Sequence, residues 1–156
     1  MSFEKENFLR TQLVRRLQQI DPNTKPAWGR MSFQHMVEHL ILDGVQIASG
    51  RVKHEIFTPA ERLPLYREFL MSDKPMRPNT VNPVLPPDPV PLRFNTPQAA
   101  IAEFQSELIY FFEVHAGNPQ LITTHPIFGD LNFEENVQLL YKHSAHHLKQ
   151  FGSEIW

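Results

Sequence analysis

The residues of this chain best able to do chemistry are its histidines. Two pairs stand four positions apart, His35-Met-Val-Glu-His39 and His143-Ser-Ala-His146-His147. On a helix that spacing puts both imidazoles on one face, one turn apart, where they can share a metal ion. Eight histidines in 156 positions give about 0.4 such pairs by chance at this helical spacing, so two pairs are suggestive and no more. Cysteine is absent, which removes thiolate ligands, disulfides and a cysteine nucleophile in one step.

The elements that must position these residues read as helices. Leu9, Leu13, Leu17 and Ile20, with Val14 beside them, recur at helical spacing, and Asp21-Pro22 stops that helix. After a loop containing Pro26, Trp28 and Gly29, Ser32 is an N-cap for a helix through about Ser49, ended by Gly50. Residues 59 to 72 suit a short helix with Pro59 in its first turn. Thr96-Pro97 opens a third long helix whose apolar stripe is Ile101, Phe104, Leu108, Phe111 and Phe112, closed by Gly117-Asn118-Pro119. Asn132 and Glu135 form a capping box for a last helix that runs to about Gly152. No alternation is long enough to build a sheet. The expectation is one all-α domain over residues 1 to 156, a four-helix bundle.

Between Pro75 and Pro97 the chain carries 8 prolines and cannot be a regular element. A 20-residue helix spans about 30 Å, whereas 23 extended residues at roughly 3.1 Å each reach about 70 Å. The stretch is therefore a crossover that lets the third long helix start parallel to the second. A lid over a site is the other use.

Helical-wheel geometry, at about 100° per residue, sorts the histidines. The apolar side of the last helix is Phe133, Val137, Leu140, Ser144, Leu148 and Phe151. His147 lies about 50° and His143 about 90° from its middle, so both flank the core, while His146 at about 150° faces water. His39 sits about 140° from the apolar stripe of its own helix and His35 further out. As a ligand, His39 would have to stand at the edge of a cleft. The competing reading is of partly buried histidines that hydrogen-bond locally.

Four blocks of sequence carry a resemblance. Trp28-Gly-Arg-Met31, Met36-Val-Glu-His39-Leu40, His125-Pro-Ile-Phe-Gly129 and Tyr141-Lys-His143-Ser-Ala-His146-His147-Leu-Lys-Gln150-Phe-Gly152 together resemble the DinB/YfiT-like metalloenzyme superfamily, in particular a branch with no assigned reaction. The resemblance implies a four-helix bundle with a long crossover, and a divalent metal held between one histidine of the second helix and an H-x-x-x-H pair of the last. The implied ligands are His39, His143 and His147. The motif supplies His39; the wheel does not. Imidazole ligands suit zinc, nickel, copper or iron. Relatives of this kind include thiol-dependent transferases and isomerases, which adds an external small thiol as an implied cofactor.

Glu38 and Asp43 are the nearest carboxylates that could orient His39, although solvated helix charges are the plainer reading. His125 reads as a lock for its own turn, with a position facing the site from above the last helix as the other reading, and His115 as a partner of a helix C-terminus. Tyr141 reads as a core aromatic with a wet tip, a hydroxyl supplied near the site being its other use, and Trp28 as a packing anchor.

Composition narrows the function classes. The net charge of −2 argues against a nucleic-acid binder, and no apolar run approaches the length of a membrane span. The N-terminal residues lack the apolar core of a signal peptide, so the expected address is the cytoplasm. The leading expectation is a metal-dependent enzyme, a hydrolase or a small-thiol transferase, acting on a small molecule. A non-catalytic binding or stress-response module with a structural metal, or none, is the alternative. A homodimer is compatible with the abundance of phenylalanine.

Overall fold

A computed structural model describes residues 3–78, 85–86 and 88–153. The chain is mostly helical. Helices α1 (Phe3–Thr11) and α2 (Leu13–Gln19) follow one another with backbone hydrogen bonds continuing across Gln12. Helix α3 (Phe33–Leu40) passes into a π-helical turn (Ile41–Val45) and then α4 (Gln46–Ala48). A 3₁₀ turn (Ala60–Arg62) leads into α5 (Leu63–Met71), and α6 (Pro97–Gly117) and α7 (Phe133–Gln150) complete the helices.

The caps follow from local chemistry. Ser32, Thr96 and Asn132 each accept a backbone N–H from the residue three further on, at His35, Ala99 and Glu135. Glu135 returns a bond to the Asn132 amide, the reciprocal arrangement its spacing predicts. His35 does the same for Ser32 through Nδ1, which occupies that ring in a cap. One expectation fails: two three-residue strands, β1 (Thr123–His125) and β2 (Gly129–Leu131), pair antiparallel as a hairpin. Three residues are too few for alternation to register in a sequence.

The helices pack in two senses. Gln34 donates to Phe94 O beside the start of α6, Gln46 to Glu107, and His115 to Ala48 O, so α3–α4 and α6 run the same way. Lys5 donates to Gln138 and Phe8 packs on Tyr141, so α1 runs with α7. Phe33 meets Phe151 while Gly44 lies against His143, which sets α3 antiparallel to α7. Between these helices lies a core that includes Leu9, Leu13, Leu17, Phe33, Met36, Leu40, Phe104, Phe111 and Leu148. Burying each such side chain contributes about 1.5–3 kcal/mol before entropy is counted.

The parallel pair depends on the proline-rich connection. Buried Glu38 accepts from the Arg93 and Phe94 amides at 2.7 and 3.2 Å and from Gln34, tying the end of that stretch to α3. Glu38 is thus an anchor rather than a solvated charge. Residues 79–84 and 87 lie outside the described residues, and the rest of 75–96 forms no regular element. Helix α5 is fastened to α7 by Lys142, which donates to Phe69 O and Ser72 O at its C-terminus, and by Gln138, which donates to Leu70 O. No helix among the described residues is long and apolar enough to cross a membrane.

Candidate metal centre

His39, His143 and His147 meet between α3 and α7, and each offers a ring nitrogen within 4.8 Å of the others. His39 Nε2 lies 2.9 Å and His147 Nε2 lies 3.1 Å from His143 Nε2. Tetrahedral coordination at 2.0–2.1 Å requires ligand atoms about 3.3 Å apart, so both separations are close to the needed edge.

The outer ring nitrogens decide what the inner ones can be. His39 Nδ1–H donates to Asp43 Oδ2 at 3.0 Å, and His147 Nδ1–H donates to Gln150 Oε1 at 2.7 Å. The Gln150 amide is oriented in turn, because its Nε2 donates to Trp28 O at 2.9 Å. With those protons committed outward, His39 and His147 each present an Nε2 lone pair to the centre. His143 Nε2–H could satisfy one of them and not both. Three convergent nitrogens with at most one shared proton are a donor set for a cation.

Electrostatics favour the same state. Burial pushes His143 and His147 well below the ordinary histidine value, and neighbouring imidazoles push further: His147 and His39 act on His143, and His39 acts on His147. Both rings therefore stay neutral, as ligation requires. His147 is buried, while the side chains of His39 and Asp43 keep 15% and 24% of their surface exposed. That exposure lies at the His39–Asp43 edge of the centre.

A π turn follows His39. Gln46 N–H bonds back five residues to Ile41 O, widening the helix one turn beyond His39. His39 itself lies in regular α3, before the turn, and stands off the buried face as the wheel has it; α7 packed across that edge is what brings it to His143. Gly44 lies within the widened turn, and a Cβ there would sit 3.5 Å from His143 Nδ1. Asp43 is therefore a partner of His39, against the plainer expectation of a solvated charge.

The remaining histidines sort differently. His146 does not face open water: it lies partly buried, with the Trp28 ring 5.2 Å away and a hydrogen bond to the Met76 backbone. His125 Nδ1 accepts from the Ile127 and Phe128 amides at 3.0 and 3.3 Å, the expected turn lock. Burial, with a smaller contribution from His54, holds its pKa down at about 4. His115 is buried and donates to Ala48 O at 2.9 Å, so it bridges two helices rather than serving its own C-terminus. Tyr141 packs edge-on against Phe8, toward α1. Gln150 and Gly44 are the contributors that sequence reasoning missed. No family model matches the chain, and no curated protein or solved structure matches it.

Proposed function

We propose that the chain is a metal-dependent enzyme in which His39, His143 and His147 hold one divalent transition ion, zinc, nickel or iron, through Nε2. The convergence of three Nε2 atoms, two of them with Nδ1 protons committed to Asp43 and Gln150, is the observation that carries this reading. When bound, such an ion supplies Lewis acidity to a small-molecule substrate and brings a coordinated water toward neutral pKa. The chain's own residues fix the tautomers, hold the rings in place and keep the exposed edge at His39 and Asp43 accessible. The reaction class that follows is hydrolysis or transfer to an external small thiol.

The same reading places the chain in a DinB-like four-helix bundle with a proline-rich crossover. The two opposed helix directions and the tie from Glu38 to Arg93 and Phe94 support it. A non-catalytic module with a structural metal would need a closed coordination sphere. Among the described residues no fourth histidine, aspartate or glutamate joins the three.

The test is elemental analysis of the chain made without a polyhistidine tag, beside a His143→Ala, His147→Ala double variant whose folding is checked by circular dichroism. About one equivalent of metal in the parent, lost in the folded variant, is the expected result. No metal in the parent, and no uptake from dilute zinc, nickel or iron, would refute the enzyme reading.

A further inference from the structure

The geometry points to His125 Nε2–H as a hydrogen-bond donor to an oxygen anion, hydroxide or carboxylate, held at the open position beside His39, His143 and His147. This inference rests on the metal site proposed above and specifies the kind of ligand that site receives.

Strand β1 supplies the placement. Thr123 Oγ1 donates to Ala48 O at 3.1 Å, so that face of the strand lies on α4. Thr124 turns the other way, to Asp130 Oδ1 at 2.6 Å. His125, two residues beyond Thr123, returns to the α4 face about 6.6 Å further along the strand. Thr123 Oγ1 also accepts from Asn136, whereas Ile127 and Phe128, just beyond His125, pack in the cluster that holds Leu139 and Met76, so the hairpin runs along α7 toward His143. Gly44 is the residue against which the His143 ring rests. Electrostatics agree with this placement, since Asp43 acts on His125 and His125 acts on His143.

The tautomer is set by the hairpin. Nδ1 accepts two backbone amides, from Ile127 and Phe128, so the neutral ring carries its proton on Nε2, turned away from the turn. Among the described residues nothing accepts a hydrogen bond from Nε2. With its lone pair used by the turn and its proton on the far nitrogen, His125 is unsuited to be a fourth ligand. It is suited to hold an anion that a ligand-bound cation attracts, because charge-assisted hydrogen bonds are the strong ones.

Two substitutions separate the ring's two duties. In His125→Asn the side-chain oxygen still reaches the Ile127 and Phe128 amides, as in an Asx turn, but the distal donor is gone. In His125→Gln the amide nitrogen stands near the old Nε2 position and restores a donor. The experiment loads each protein with cobalt(II), measures the stoichiometry, and titrates acetate while following the cobalt visible absorption band. Expected are full cobalt uptake in all three, acetate affinity about tenfold weaker in His125→Asn, and recovery of most of that loss in His125→Gln. Unchanged acetate affinity in a fully loaded His125→Asn protein, or equal weakening in both variants, would overturn the role of His125 and leave the metal site standing. Failure of the parent to take up cobalt would overturn the metal site and this role together.

Discussion

His147 and His115 are both almost wholly buried, yet they sit in opposite kinds of surroundings. His115 is walled by the rings of Phe111 and Phe133, gives its one proton to Ala48 O, and finds no partner for Nδ1 among the described residues. His147 gives its proton outward to Gln150 and turns its lone pair toward two more imidazoles. Burial and helical spacing are therefore poor guides to a metal site. The informative difference is where each proton goes and how many lone pairs converge. A buried histidine with one partner is a strut, whereas three whose protons are drawn outward form a vessel for a cation.

The largest expected effect that sharpens this contrast is at the centre itself. His143→Ala removes the nitrogen that both other rings approach, and zinc affinity measured by competition with a chromophoric chelator should fall at least about a thousandfold. Next come the residues that aim the rings. Asp43→Asn and Gln150→Leu should each weaken zinc binding about 10- to 100-fold in the same assay, with helicity unchanged. Gln150→Leu should also loosen the loop at Trp28, which then becomes more accessible to fluorescence quenching.

His115→Leu is the counterpart on the other side of the comparison. It removes a bridging bond to Ala48 O but fills an aromatic pocket, so the cost should be about 1–3 kcal/mol in urea denaturation, with zinc affinity unaltered. Loss of zinc binding there would break the distinction between strut and ligand.

A graded effect is expected on acid stability. His125 titrates near 4 when folded and near 6.5 when unfolded. Below pH 6.5 the unfolded chain takes up a proton that the folded chain refuses. Its contribution is therefore complete above pH 6.5 and declines as pH falls toward 4, by at most about 1.4 kcal/mol per pH unit. Denaturation midpoints of the parent and His125→Asn at pH 7.5, 6 and 5 should converge as the pH drops.

What could be read from the sequence was governed by distance along the chain. The caps at Ser32, Thr96-Pro97 and Asn132–Glu135 are local chemistry, and each stands where its residues put it. His143 and His147 were separable from His146 because α7 is an uninterrupted α-helix, to which a wheel applies. His39 was not, since it stands at the edge of α3, off its buried face, and only the packing of α7 across that edge brings it to His143. Gln150 was missed for another reason: its partner, Trp28 O, is 122 residues away, and a glutamine at the end of a helix ordinarily faces water. His146 escaped the wheel likewise, because the Trp28 loop and Met76 cover a face that the helix alone would leave exposed.

The most direct test of the central claim is X-ray absorption spectroscopy on the zinc-loaded, tag-free protein. The account predicts one zinc per chain, with three imidazole nitrogens at about 2.0–2.1 Å and at least one oxygen from water or an anion. Fewer than three imidazoles, four protein ligands with no exchangeable oxygen, or no zinc retained would contradict it.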